Sequence, residues 1–573
     1  MNKLIRRRTL KTTKMLSDNP LLNRIYQARE ISSPDELNLS LKGMLNPQSL
    51  SNIDIAVELL YQSYLDNKHI TIVGDFDTDG ATSTALVLLA LRQFGFKKVD
   101  YLIPDRISQG YGLSLDIAEL LLEKGSDVVL TVDNGVSSVE GIELLKSNNV
   151  CVIVTDHHLP ADYLPNADAI VNPNLDDCTF PSKALAGVGV AFYVMVALRI
   201  KFRKNGVFKD FEPNITELLD LVALGTVADV VPLDHNNRIL VFQGLNRIRA
   251  GVCRVGIKAL VEISKRNLGK LQASDLGFSI APRLNAAGRL ENMSLGVELL
   301  ICDDINTARQ LALELDSLNQ TRKEFEQDMK TEALAICAKL PHLKDSSQAQ
   351  CIVVYQEDWH QGVIGILASR LKDQFHRPAI VFAKDGDLLL RGSARSISGV
   401  HIRDVLERVN SNYPNLIVKF GGHAMAAGLT IKEENLLQFQ HYFNQVVQDF
   451  IEIEQLQGVI YTDGELREDE LTLDTAELLQ KSGPWGQYFP EPMFEGEFKI
   501  LQQRIVGQNH LKLILETKYG KCLDAIWFNI DRSNYPDMSL KKANIVYKLT
   551  INEFRGEESL QLLVEELYCT KYV

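Results

Sequence analysis

The stretch Ile70-Thr71-Ile72-Val73-Gly74-Asp75-Phe76-Asp77-Thr78-Asp79-Gly80, followed by the helical run Ala81–Phe94, decides how this chain reads. A short apolar strand ends in an acidic turn, and a helix follows at once. The unit then recurs. Val99–Ile103 reads as a strand and Leu115–Glu123 as a helix. Strand Val128–Val132 ends in Asp133-Asn134-Gly135, helix Val139–Leu145 follows, and strand Val150–Val154 ends in Thr155-Asp156-His157-His158. Such alternation predicts an α/β fold, a parallel sheet covered by helices on both faces. Ligands of these sheets sit beyond the carboxyl ends of the strands, where the acids and imidazoles fall.

Working outward, residues 303–338 lack Pro and Gly and carry Ile305, Ala308, Leu311, Leu315, Leu318, Phe325 and Met329 at helical spacings. This predicts a long amphipathic helix acting as a strut. A second α/β unit follows, with strand Cys351–Tyr355, helix Val363–Lys372, strands Ala379–Phe382 and Leu388–Ser393, and a further segment opened by Gly421-Gly422-His423. Five short strands between Phe494 and Val564 suit a small β-barrel such as an OB-fold. The expected divisions are an N-terminal extension at 1–50, a catalytic domain at 51–300, a connecting helix at 301–345, a substrate-binding domain at 346–452 and the barrel at 453–573.

At 573 residues, with 45% hydrophobic and 24% charged, the chain is neither a disulfide scaffold nor largely disordered. A net charge of −13 excludes a uniformly basic nucleic-acid coat. Eight cysteines without a C-x-x-C pair argue against zinc ribbons and for a reducing compartment. The apolar run Ala184–Leu198 falls short of the ~20 residues of a membrane span. The basic N-terminus leads into no apolar stretch, unlike a secretory signal. A soluble cytoplasmic protein without membrane association is expected. Charge is uneven: residues 1–30 and 241–270 are basic stripes, and 451–500 holds twelve acidic residues against three basic ones. The stripes read either as a polyanion track or as solvated helix faces.

The D-x-D-x-D-G turn also opens an EF-hand loop, but the twelfth position is Leu86, not Glu, and a strand precedes it. A solvated acidic turn would explain Asp75, Asp77 and Asp79 taken alone. It does not explain Asp133, Asp156, His157 and His158 at the same edge, with Asp229 in the apolar run 225–232 as a fourth contributor. Carboxylates with one or two imidazoles suit Mn²⁺ or Mg²⁺, and so many acids fit two ions better than one. Asp133, on a central strand, is the expected bridging carboxylate. His158 is then free to bond phosphoryl oxygens or to protonate a leaving group.

Asp156-His157-His158, the D-F-D-T-D-G loop, V-D-N-G and G-T-V-A-D-V-V-P-L resemble the core motifs of the DHH phosphoesterase superfamily. Its members include inorganic pyrophosphatases, phosphodiesterases of short oligonucleotides and cyclic dinucleotides, and exonucleases of single-stranded DNA. The resemblance to the exonucleases runs over nearly the whole chain, through 281–289, 359–370, 392–396, 421–428 and 484–492. It implies a DHH core and a DHH-associated domain for the two α/β units. It further implies Asp77, Asp79, Asp133, His157 and Asp229 as metal ligands, Asp75 as a ligand or an acid behind one, and His158 as catalytic. Arg106, Ser393 and Arg395 match a pocket for a terminal 5′-phosphate, and Gly421, Gly422 and His423 a substrate loop. Arg283 and Arg289 are expected to contact the strand. Tyr111 stacks on a base or packs, and Trp359 lines a groove or the core.

The leading expectation is a metal-dependent 5′→3′ exonuclease of single-stranded DNA that releases mononucleotides. The resemblance places it beside a helicase and a single-strand-binding protein in recombination and repair. A phosphodiesterase for short oligonucleotides or cyclic dinucleotides is the alternative, though it has little use for the barrel. A non-catalytic DNA-binding protein would have lost metal-site acids, and none is lost.

Overall fold

The computed structural model describes residues 3–106, 108–161, 163–339, 351–532 and 534–568. Parts of the expected connecting helix, second domain and barrel (340–350 and 569–573) lie outside the described residues. A short strand β1 (Leu4–Arg7) opens the chain. The first lobe holds β2 (Ile70–Val73), β3 (Val99–Leu102), β4 (Val128–Val132), β5 (Cys151–Thr155) and β6 (Ala169–Val171), in the order β3-β2-β4-β5-β6 and all parallel. β2 and β4 are buried at every position, as a sheet covered on both faces requires. Val73 lies beside Leu102 and Thr131, and Val132 beside Thr155. The strand ends are therefore level, and the turns after them share one edge.

Helix Thr78–Gln93 starts at that edge, capped by Asp77, whose side chain accepts from the Asp79 and Gly80 N–H groups. The apolar run at 184–198 folds as the buried helix Gly187–Lys204. Its composition reflects packing, and no helix among the described residues is long and apolar enough to cross a membrane. The expected strut is one continuous helix, Ile305–Lys339.

The second lobe carries β7 (Ile352–Tyr355), β8 (Ala379–Asp385), β9 (Leu389–Arg395), β10 (Lys419–Gly422) and β11 (Ala426–Lys432), ordered β10-β11-β9-β8-β7. Only β7 and β8 run parallel. After β12 (Val459–Thr462) come β13 (Phe494–Val506), β14 (His510–Glu516), β15 (Cys522–Trp527), β16 (Lys542–Phe554) and β17 (Glu557–Tyr568), closed as β13-β14-β15-β17-β16. Closure leaves no free sheet edge. Leu511, Leu513 and Leu515 alternate into its interior.

The charge stripes behave differently from either expectation. β1 pairs in parallel with β12. Arg29 grips Asp463 through two bonds of 2.8 and 2.9 Å, with both side chains buried. Arg7 reaches Glu465 at 3.0 Å and Glu495 at 2.5 Å. Lys270, from the second stripe, contacts Glu553 and Glu558 of the barrel at 3.1 and 2.5 Å. For these residues the partner is neither nucleic acid nor solvent. It is the acidic C-terminal third, and the opposite charges clamp the N-terminal segment and the middle of the chain to it.

Candidate metal centre and anion pocket

At the carboxyl edge of the first sheet, ligand atoms of Asp75, Asp77 and Asp133 lie within 4.8 Å of one another. The same holds for Asp79, His157 and Asp229, and for Asp133, His157 and His158. The structure thus gathers every expected metal-site residue. Asp133 belongs to two of the three groups. Asp229, an acid in an apolar run, arrives from a helix: it caps Leu219–Ala228 at the C-terminus.

Backbone strain accompanies the gathering. Asp133 (φ 63°) and Val230 (φ 62°) occupy the left-handed region, which is costly for a β-branched residue such as Val230. A Cβ on Gly187 would fall 2.5 Å from the Asp133 side chain. The helix Gly187–Lys204 can therefore approach only through glycine. Its first N–H groups, on Gly187 and Val188, donate to the two Asp79 carboxylate oxygens at 2.6 and 3.0 Å.

Burial, and then the charge of Asp77, push Asp75 up to about 8 and Asp79 up to about 7. Burial, and then Asp79, hold Asp133 and Asp229 well above the carboxylate range. Burial and the neighbouring His158 hold His157 down at about 4, leaving a neutral imidazole with a free lone pair. Its Nε2 lies 3.1 Å from Asp133 Oδ1 and 3.5 Å from Asp229 Oδ2. Asp75 Oδ1, Asp133 Oδ1 and His157 Nε2 are buried without a hydrogen-bond partner. Crowded acids and orphaned lone pairs of oxygen and nitrogen are what a hard divalent cation satisfies. The residues fit Mn²⁺ or Mg²⁺.

His158 is set apart. Burial alone would lower it, but Asp156 outweighs burial and raises it to about 9. Asp156 Oδ1 lies 2.7 Å from His158 Nδ1 and accepts the His157 and His158 N–H groups, while Oδ2 takes Val136 N–H at 2.9 Å. Tyr111 Oη donates to the Asp133 carbonyl at 3.2 Å and lies 3.2 Å from His158 Nδ1. In the sequence Asp156 reads only as part of a signature, without a role of its own, and Tyr111 only as a base-stacking or packing residue. The strand-end position of Asp156, directly before both histidines, was the available signal.

Beside the acids, Arg106, Arg289 and Arg395 gather, with Arg106 in the field of Asp75 and Asp77. Burial, then Arg106, Arg322 and Arg395, bring Arg289 down to about 9. Burial and then Arg106 lower Arg395. Arg106 packs 4.0 Å over the Phe76 ring with its Nε buried and unbonded. Arg395 donates to Ser393 Oγ at 3.1 Å. A Cβ on Gly365 would lie 3.1 Å from that hydroxyl, so the uncapped N-terminal turn of helix Ile364–Phe375 borders the pocket. The run W-H-Q-G-V-I-G carried this contribution unrecognised. Gly421 and Gly422 pair with Gly428 and Ala427 at a hairpin, and His423, just beyond it, faces His157 and His158 closely enough to feel His158's charge. Arg283 stands apart from this cluster: it binds Asp316 of the long helix at 2.8 Å and the Ser279 carbonyl. Trp359 is buried, with its N–H on Glu332 at 2.7 Å.

Profiles of three families match in order: the DHH family, N-terminal domain, over 69–226, the DHHA1 domain over 348–449 and the RecJ OB domain over 462–566. The single-stranded-DNA-specific exonuclease RecJ of Haemophilus influenzae is 60% identical over 99% of both chains. The chain belongs to the RecJ family. Among solved RecJ structures, that of Thermus thermophilus in complex with Mn²⁺ superposes with a TM-score of 0.82 at 28% identity, covering 100% of this chain and 80% of that one. The Mg²⁺ complex from the same organism gives 0.76 at 26%, covering 99% and 79%. The RecJ-family assignment accounts for all three layers, the parallel core, the mixed sheet and the closed barrel.

Proposed function

We propose that this chain is a metal-dependent exonuclease that hydrolyses single-stranded DNA from its 5′ end to mononucleotides. One observation carries the reading. A cluster of buried acids needing cations faces a cluster of buried guanidiniums needing an anion, and a strand terminus supplies the anion. Asp77, Asp79, Asp133, His157 and Asp229 would hold two Mn²⁺ or Mg²⁺ ions, with Asp133 shared and Asp75 beside them. Bound there, the ions would supply charge neutralisation and Lewis-acid polarisation of the phosphodiester.

The chain's own groups do the rest. Arg106, Arg395 and Ser393 grip the terminal 5′-phosphate, with Arg289 adding charge behind them. Gly421 and Gly422 let backbone approach the next phosphates, beside His423. Hydrolysis adds water across the P–O3′ bond, and His158, charged and oriented by Asp156, protonates the departing 3′ oxygen. Each cut leaves a new 5′-phosphate on the shortened strand, ready for the same pocket. Arg283 takes the part of a brace to the long helix.

The barrel tells against a phosphodiesterase of cyclic dinucleotides, which needs no extended track. Single-strand specificity calls for a helicase to separate the duplex and places the enzyme on strands coated by single-strand-binding protein. The setting we propose is cytoplasmic DNA recombination and repair. Oligonucleotides labelled at either end, digested with and without EDTA, test the reading. A 5′-phosphorylated strand should shorten from that end only when metal is present. Mononucleotide release from the 3′ end of a 5′-blocked strand would overturn it.

A further inference from the structure

Away from the metal centre, a cavity of about 430 Å³ lies between the N-terminal segment, the helix His235–Arg249 and the stretch leading into the barrel. That volume falls in the range of small-ligand sites. Arg238 distinguishes it from a packing defect. The residue is 3% exposed, lies 4.4 Å over the Phe489 ring, and its buried Nε has no hydrogen-bond partner. Among the described residues no carboxylate comes within 4.0 Å of its guanidinium.

The same aromatic stack provides a comparison. Trp485 and Phe489 stack at 4.9 Å, with Arg29 over Trp485 at 5.3 Å and Arg238 over Phe489. Arg29 is neutralised by the two-pronged bond to Asp463. Arg238 has no such partner and lines the cavity instead. A buried charge without a counter-ion in contact is costly, and a guanidinium cannot escape the cost by shedding its proton. An anion entering the cavity would relieve it.

We propose that this cavity binds a carboxylate carried on an apolar, ring-sized group, with the carboxylate in the fork of Arg238. Tyr26, Leu37, Leu39, Phe242 and Phe489 form the apolar wall, and no acidic residue lines it. The Tyr26 hydroxyl is already bonded to the Ser482 carbonyl at 3.1 Å, so its ring offers contact area only. Lys481 at the wall is an exposed side chain paired with Glu477 at 3.0 Å, so solvent screens its charge. The carboxylates of Glu36 and Asp234 lie beyond ion-pair contact but within the field of Arg238. One cation already facing two distant acids balances a monoanion better than a phosphate dianion. The carboxylate could belong to a free organic acid or to the end of a protein chain with an apolar last residue.

Calorimetric titration of the full-length protein in EDTA tests this with phenylacetate, its uncharged isostere phenylacetamide, and phenyl phosphate. Phenylacetate should bind saturably and at least about tenfold more tightly than the amide or the phosphate. Arg238→Lys, which keeps the charge and loses the fork, should erase most of that preference. Phe242→Ser should weaken acid and amide alike and keep the preference, so the site is read even if the Arg238 variant fails to fold. Arg395→Ala should leave phenylacetate binding unchanged, which separates this cavity from the arginines beside the metal centre. An N-acetylated tetrapeptide ending in phenylalanine that binds more tightly than phenylacetate assigns the site to a chain end, and equal binding assigns it to a free acid. Absence of saturable phenylacetate binding, equal binding of the amide, or tighter binding of phenyl phosphate would overturn the proposal.

Discussion

The two α/β sheets of this molecule deliver functional groups by opposite geometries. In the first lobe every strand is parallel. Residues following different strands, such as Asp75, Asp133 and Asp156, therefore leave at one edge although they are far apart in sequence. In the second, β9 and β11 run antiparallel, so Ser393 and Arg395 lie side by side with Gly428 and Ala426 as cross-strand partners. The parallel edge concentrates one sign of charge, and burial with mutual repulsion holds its acids above their ordinary range. The mixed sheet contributes to the reverse, where burial and neighbouring cations lower arginines. Neither half is at electrostatic rest by itself. On the proposed reading, a phosphodiester with its metal ions would complete both.

The strongest test breaks the acidic half. Asp133→Ala should lower kcat by about 10⁴-fold or more, as loss of a central catalytic group does, while filter binding of single strands persists. Retention of more than about a tenth of wild-type activity, a barrier change under ~1.4 kcal/mol, would remove Asp133 from its shared position. Next, the two histidines should separate. His158→Ala should cost about 10²–10⁴-fold in turnover with Mn²⁺ affinity intact by calorimetry, whereas His157→Ala should lose Mn²⁺ affinity. Equal loss of affinity in both would merge roles that their opposite pKa shifts, to about 9 and about 4, keep apart.

The basic half should respond more mildly. Arg395→Ala should reduce the preference for 5′-phosphorylated over 5′-hydroxyl strands in kcat/KM by about 10–100-fold, in line with ~1.5–3 kcal/mol for a hydrogen bond to a charged group. An unchanged preference would move the phosphate elsewhere.

A pH titration sharpens the comparison without mutation. Asp75 and Asp79 are raised to about 8 and about 7 in the folded chain, so between about pH 4 and those values the folded state holds more protons than the unfolded state. The metal-free protein should therefore lose thermal stability as pH rises through that window, and saturating Mn²⁺ should flatten the slope. A metal-free Tm that climbs over the same window would contradict the strain assigned to the acids. The smallest effect belongs to Arg283→Ala. It should cost about 1 kcal/mol of stability through the lost Asp316 contact and leave single-strand affinity unchanged. A marked fall in affinity would return Arg283 to the DNA path.

The parallel core was legible because its signals are local. β-branched runs ending in Asp75–Asp79, Asp133 and Asp156–His158 announce strand, turn and candidate ligand in consecutive residues, and the unbroken helical spacing of 303–338 announces the strut. The barrel strands were legible from alternation, as at Leu511, Leu513 and Leu515. Asp229 was found as an acid in an apolar run, but its delivery by a helix end was not visible, since an apolar run of that length suits either element. Tyr111 and Phe76 were placed only by folding, because a single aromatic residue in a turn has no period to read.

By itself the sequence determined the α/β class, the strut and the barrel, and it singled out acids and histidines that meet at one sheet edge, all of which follow from short-range pattern or contiguous motifs. Tertiary structure alone decided which charges are spent internally. The basic stripes and the acidic stretch at 451–500 looked like separate surfaces. Arg7, Arg29 and Lys270 instead meet Glu495, Asp463 and Glu553 across 488, 434 and 283 residues of sequence. It also decided that Arg29 grips a carboxylate while Arg238, beside the same aromatic stack, has none within 4.0 Å among the described residues. The physical reason is that a charge has no periodicity. Its partner is set by distance in space, which the order of residues along the chain does not encode.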